Sequence, residues 1–333
     1  MFRQALFFSK RRFPNALNPA LCLAYLLLFQ INAIAQPSCT YRGDLDVAFC
    51  DSDKNGLADL ATSNLQSLGK SMTVAVLEPD DRSSKPLLAY EPWFAAIGKC
   101  ANITIRKRSF DSEDAAIQAM RKDEVQLLWM QGHSAVRAVN KAGAQPWLAK
   151  GKYANNAAST YDLRLIVRKD SGIKTPVQLR GKDVDLMSGD TFMGGVGAQA
   201  FFKQYSNPAL KPGQDFNARF SQDADKSVLG VLYGVWQASL STSTEIDKLS
   251  RRGGVALADL STIAQSKPMI EDVWLLPNNL DRASYKKLSA CTEDFLFPDE
   301  MSKALAGNDR LFTVDYLKDW AYQRELLKSS VTK

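Results

Sequence analysis

The chain has 333 residues, with 42 Lys and Arg, 36 Asp and Glu and a single histidine. That length allows two packed domains, and the near balance of charge argues against a nucleic-acid or anionic-membrane binder. One histidine permits at most one Ser-His-Asp or Cys-His arrangement, and no Gly-x-Ser-x-Gly elbow or Gly-x-x-x-x-Gly-Lys-Ser/Thr loop accompanies it. A secreted hydrolase is therefore only a weak alternative to a binding protein.

Residues 1–35 read as a signal peptide. Arg3, Lys10, Arg11 and Arg12 form a basic leader, an apolar run follows from Ala20 to Phe29, and Ala33-Ile34-Ala35 is a small-x-small cleavage site. The run is shorter than the roughly 18 residues a spanning helix needs, and the residues before Cys22 and Cys39 lack a lipoprotein pattern. Cleavage would remove four basic residues and Cys22, leaving 38 basic against 36 acidic residues and four cysteines in an exported chain. Four cysteines without a C-x-x-C pair point to disulfides rather than to zinc, with free buried thiols as the alternative. Cys39–Cys50 with Cys100–Cys291 is the preferred pairing, because the first closes a short local loop.

Residues 36–70 are polar and turn-rich. Asp51, Asp53, Asn55 and Asp59, with Gly56 between them, match most of a calcium loop, although Thr62 stands where a bidentate Glu is expected. A structural calcium and an Asx-turn loop capping a short helix are both open readings of this segment. No other cofactor is implied.

Strand and helix signals then alternate. Met72–Glu78 reads as a buried strand. A helix around Trp93, Phe94 and Ile97 has Pro92 in its first turn, and Ile103–Arg108 is a second strand. Asp111 and Ser112 can cap a helix with an Ala116, Ile117, Met120 stripe, and Val125–Met130 is a third strand ending at Gln131-Gly132-His133. A second set begins at Leu163–Val167 and continues through Val184–Met187 into a Ser188–Gly195 turn and a helix through Ala198, Phe201 and Phe202. A helix over Lys226–Tyr233 and a strand over Val235–Leu240 follow. Val273–Leu276 returns the chain to the first set, and helical segments near Leu317–Leu327 are expected to pack on the outside.

These βα units predict an α/β fold of two lobes with parallel sheets. Lobe 1 comprises residues 71–160 plus 265–333 and lobe 2 residues 161–264, with crossing segments near 155–162 and 262–272. Ligands of parallel sheets lie at the carboxyl ends of strands, here Glu78 to Ser83 and Trp129 to Ser134, which nominates Glu78, Gln131 and His133. The turn before the second-lobe helix, with Asp190, Thr191 and Gly194, offers backbone N–H groups to an oxyanion, while Asp190 can equally be a helix cap.

Several segments resemble the phosphate/phosphite/phosphonate-binding family of ABC-transporter periplasmic proteins. They are Phe49–Asp53, Leu87–Trp93 with Tyr90 and Pro92, Ala115–Met120, Leu163–Ser171, Leu179–Lys182 and Ser227–Val231. The resemblance covers roughly residues 48–290. It implies a type II periplasmic binding protein that closes on one small ligand and passes it to an ABC permease; a sensor docking on a membrane receptor fits the same fold. It adds Tyr90, Asp225 and Gln237 to the site. The family's hydroxyl-rich turn falls on Asp190, Thr191, Phe192 and Met193, its Ser/Gly-x-His-Asp turn on Gln222–Asp225, and its strand acid on Gln237. An Asp beside a dianion costs Coulomb energy unless a ligand cation compensates it, so the departures predict a phosphonate-like oxyanion or a zwitterion. A monomer with no nucleic-acid partner is expected.

Overall fold

β1 (Ser71–Leu77) forms because its apolar residues can be buried on both faces; Met72 and Val74 are fully enclosed. The computed structural model describes residues 39–77, 84–188, 192, 194–253 and 257–331. The expected signal peptide, residues 1–35, lies outside the described residues.

α1 (Ser84–Ala89) and α2 (Glu91–Ala101) lead to β2 (Thr104–Phe110), with Pro92 in the first turn of α2. Ser112 caps α3 (Glu113–Arg121) by accepting from the Ala115 N–H at 3.2 Å. β3 (Leu127–Gln131) runs directly into α4 (Gly132–Ala142). A strand not anticipated from the sequence, β4 (Gln145–Lys152), follows with its short partner β5 (Ala157–Ala158). The chain then crosses through β6 (Thr160–Tyr161).

The second set comprises β7 (Leu163–Arg168), β8 (Asp183–Asp185), α5 (Val196–Tyr205), β9 (Asn217–Arg219), α6 (Ala224–Leu232), β10 (Ala238–Thr242), α7 (Ser243–Arg252) and β11 (Leu260–Gln265). β10 starts three residues later than the apolar pattern suggests, because Gly234 at φ +74° turns the chain and the Val235 N–H donates to the Gly230 carbonyl at 2.7 Å. The polar run Ser241–Thr244 spans the end of β10 and the start of α7, with Thr242 as the helix cap. β12 (Met269–Ile270) crosses back, followed by β13 (Asp272–Leu276), α8 (Arg282–Ala290), α9 (Asp299–Ala304), β14 (Arg310–Thr313), α10 (Tyr316–Asp319) and α11 (Ala321–Val331).

Two sheets result. The first has the order β14-β4-β13-β3-β1-β2 with β5 beside β4; the second has β11-β7-β10-β8-β9. β1, β2 and β3 are parallel, as are β8, β9 and β10, while β13 and β7 run against their neighbours. Between the sheets the two crossing strands pair antiparallel, Tyr161 opposite Met269 and Thr160 opposite Ile270. The two-lobe type II architecture thus has a two-stranded hinge.

The C-terminal helices do not pack on the outside. Trp320 is fully buried against the first lobe and donates its indole N–H to the Gly132 carbonyl at 2.8 Å. Tyr322 and Leu326 are buried in the core of the second lobe, and the Tyr322 hydroxyl meets Gln204 Oε1 and the Tyr205 hydroxyl on α5, each at 3.0 Å. The Gln323 amide holds both backbone groups of Ile270 in β12 at 3.2 and 3.0 Å. Aromatic and amide side chains along one short stretch therefore engage three elements at once, α4, α5 and β12, which an exposed amphipathic helix would not require.

Both disulfides form as expected, Cys39–Cys50 and Cys100–Cys291. Asp51 is buried, and its two oxygens accept the N–H groups of Asn55 at 2.9 Å and Gly56 at 3.1 Å. Asp53 is bonded by Asn55, and Asp59 by the N–H and hydroxyl of Ser52. This is an Asx-turned loop; no helix follows it before β1, and no His/Cys/Asp/Glu metal cluster occurs among the described residues.

Candidate functional site

The hinge joins the sheets at the carboxyl ends of β3, β8 and β10, since Asp272 at the start of β13 lies opposite Gln131 and Thr242 lies opposite Leu163. Gln131 is exposed there, just before α4, and its side chain makes no capping bond among the described residues. The next residue, Gly132, is fixed by its surroundings: its N–H donates to the Glu271 carbonyl at 2.9 Å, and a Cβ would collide with the Ile270 carbonyl and the Gln323 amide. His133, half-buried, stacks on Phe192 of the second lobe, with ring centroids 4.5 Å apart and planes 17° from parallel. Burial, and then the charge of Arg137, pull the imidazole pKa down to about 4.

Other expected contacts fall elsewhere. Tyr90 is fully buried in an aromatic core, edge-on to Trp274 at 5.0 Å, so it is not an exposed cleft wall. Burial, reinforced by the Asp272 carboxylate, raises its pKa well above the usual range. Trp274 counters part of that rise without reaching hydrogen-bond geometry. Asp225 is ion-paired with Arg252 of α7 at the surface, while Asp223 caps α6 by accepting the Lys226 N–H at 2.9 Å. Gln237 accepts the Asp183 N–H at 3.0 Å and braces the amino ends of β8 and β10, away from the hinge. Gly194 lies in the turn before α5, where a Cβ would collide with the Ser188 carbonyl. Glu78, Asp190 and Thr191 lie outside the described residues.

The densest group of charges at the hinge was not singled out by sequence. Lys150 of β4 is buried; its ammonium is ion-paired with Asp272 and lies 3.3 Å from Glu271. Burial alone would pull the lysine down, but the two carboxylates outweigh it and hold its pKa above the ordinary value. Glu271 is pushed upward: burial dominates, Lys150 opposes it, and the charges of Asp272 and Glu245 add to the rise. Glu245 comes from the first turn of α7 in the second lobe. Tyr161 on the crossing strand is also raised, by burial and then by Glu271. Two carboxylates thus share one internal ammonium, while Glu245, itself 3.4 Å from Lys248, acts on Glu271 from the second lobe. Asp272 Oδ1 is buried without a hydrogen-bond partner among the described residues, as is the Tyr90 hydroxyl. The signal available in sequence was the adjacent acid pair Glu271-Asp272 at the end of the expected crossing segment 262–272, just before an apolar strand.

Residues 76–310, more than two thirds of the chain, match the model of the ABC-transporter phosphonate periplasmic substrate-binding proteins. The chain belongs to this family. It is a periplasmic substrate-binding protein of the transport type rather than an enzyme. No curated protein matches it. Among solved structures, it resembles the binding component of a Pseudomonas aeruginosa phosphonate transporter at 16% identity and TM-score 0.55, over 79% of this chain and 89% of that one. It also resembles Prochlorococcus marinus PhnD1 in complex with methylphosphonate, at 14% identity and TM-score 0.56, over 78% and 98%. A Xanthomonas citri protein bound to ATP is similar at 12% identity and TM-score 0.60, over 79% and 97%. At these identities the structures establish the shared fold. No helix among the described residues is long and apolar enough to cross a membrane.

Proposed function

We propose that this protein captures a small zwitterion, a phosphonate-like oxyanion that also carries an amine, between its lobes and delivers it to an ABC permease. The observation that carries this reading is the excess of carboxylate over ammonium at the hinge, where Glu271 and Asp272 share the single ammonium of Lys150. A buried surplus of negative charge is relieved by protonation or by a cation from the ligand. Glu271, about a quarter exposed where Lys150 and Asp272 are nearly closed off, is the member able to meet that cation. The turn before α5, with Asp190, Thr191 and the Gly194 backbone, belongs to the proposal as the place of the acidic end. Processing of residues 1–35 as a secretion signal, a monomeric state and the absence of a nucleic-acid partner are parts of the same reading. It needs no cofactor, and the Asp51–Asp59 loop enters it only as a turn held by its own hydrogen bonds.

Calorimetry with 2-aminoethylphosphonate, methylphosphonate and inorganic phosphate tests the ligand. The amine should bind at least about tenfold more tightly than either simple oxyanion, and Glu271→Gln should remove most of that advantage, about 1.4 kcal/mol. Equal affinity for all three, or an advantage untouched by Glu271→Gln, would reject the assignment.

A further inference from the structure

His133 opens α4 in the first lobe, and Phe192 is buried in the core of the second. Their stacked rings therefore join the lobes through the chain's own side chains. At 4.5 Å between centroids there is no room for a third group, since a sandwiched plane would need about twice a van der Waals spacing of roughly 3.5–4.0 Å. The aromatic stands in the turn where the family resemblance places small hydroxyl residues. We propose that the His133–Phe192 stack is an intramolecular latch that holds the lobes closed in the absence of ligand and that acid releases.

The groups around the imidazole define the direction. On its own helix Arg137 lies one turn on, and that guanidinium is held by Glu113 at 3.3 Å and Asp114 at 2.5 Å of α3. At the hinge, Glu271 holds the neighbouring Gly132 N–H through its carbonyl while its carboxylate is engaged by Lys150. From the second-lobe turn, Asp190 is the nearby acid in sequence and lies outside the described residues. Among the described residues of this set no carboxylate is committed to the imidazole, whereas the Arg137 charge disfavours its protonation. The latched ring titrates at about 4, against an ordinary 6.5 for a ring released to water. A depressed pKa means that the latch is fully effective above the ordinary value and is lost as pH falls toward the latched one. Across that interval the ratio of closed to open molecules should fall about tenfold per pH unit.

The test uses the mature protein without ligand. Its one histidine gives one set of imidazole NMR signals, and the native cysteines are tied in disulfides. Spin labels can therefore be placed on Lys122→Cys and Lys211→Cys, both exposed and one in each lobe. The wild type should show ring-current-shifted imidazole protons, a midpoint well below 6.5, and an inter-lobe distance that lengthens on acidification. Phe192→Leu should abolish the shift, raise the midpoint by at least about one unit and lengthen the distance at neutral pH. His133→Phe, which keeps a stack but cannot titrate, should stay closed in acid.

An unperturbed midpoint in the wild type would overturn the latch, as would normal imidazole signals in Phe192→Leu with an unchanged distance. If Phe192→Leu does not fold, the wild-type titration and His133→Phe decide the matter. With no ligand present, this result and that of the ligand comparison stand or fall separately.

Discussion

The two lobes treat their buried polar groups differently. In the second lobe most of them satisfy one another: Ser227, Ser239 and Ser241 form a hydroxyl chain at 2.6 and 2.9 Å, and Asp185 accepts from Ser221 and Met187, while the Ser206 hydroxyl is buried without a hydrogen-bond partner among the described residues. In the first lobe, Tyr90, Ser134, Asp272 and the indoles of Trp129, Trp147 and Trp274 carry buried polar atoms without hydrogen-bond partners among the described residues. A low-dielectric interior makes an unpaired group costly. The second lobe is thus the more nearly satisfied frame, whereas the first holds more uncompensated polarity, including Asp272 at the hinge, where the acid surplus lies.

Removing the internal cation should break this comparison most strongly. Lys150→Met leaves Asp272 and Glu271 facing each other in a buried setting, at an expected cost of about 3–5 kcal/mol in denaturant-melt stability. Without the ammonium, the Glu271 carboxyl, already pushed upward by burial, rises further, so the deficit should shrink as pH falls and it protonates. Adding Asp272→Asn should recover much of the loss. A deficit independent of pH, or no recovery in the double variant, would mean that Lys150 acts through packing alone.

Much of the frame was legible in sequence, but the charged hinge was not. β1, α3 and β7 follow from apolar spacing and the Ser112 cap, and the crossing strands lie where the two βα series meet. Lys150 sits in Leu148-Ala149-Lys150-Gly151-Lys152, which resembles a solvated end; it is buried because β4 is clasped between β13 and β14. Nothing local indicates that clasp. Asp225 has the opposite history: its place in a family-like turn was visible, but Arg252, its partner, is 27 residues away and became a neighbour only when α6 packed on α7. Tyr90 was visible as a motif residue, but its complete enclosure depends on Trp274 and Phe297 from the far end of the chain.

A smaller effect is expected from the frame itself. Asp185 accepts the Ser221 N–H at 2.8 Å, the Ser221 hydroxyl at 2.9 Å and the Met187 N–H at 3.1 Å. Asp185→Asn turns one of those acceptors into a donor facing N–H or O–H groups, and should cost about 2 kcal/mol by chemical denaturation. If the variant is as stable as wild type, the second lobe is less dependent on mutual satisfaction than the contrast between the lobes implies.

The smallest effect concerns the boundary between the lobes. Tyr322→Phe removes a hydroxyl that meets Gln204 and Tyr205 on α5 but leaves Trp320 on Gly132 and Gln323 on Ile270 untouched. Losing one such link should cost about 1 kcal/mol, and amides that open with it should exchange about fivefold faster. If α11 is energetically part of the second lobe, faster exchange should appear in α11 and α5 while β1 and β3 stay at wild-type rates. Equal acceleration in both sheets would make α11 a strap shared evenly across the hinge. No acceleration in α5 would place the helix with the first lobe, leaving its two crossing strands as the second lobe's principal tether.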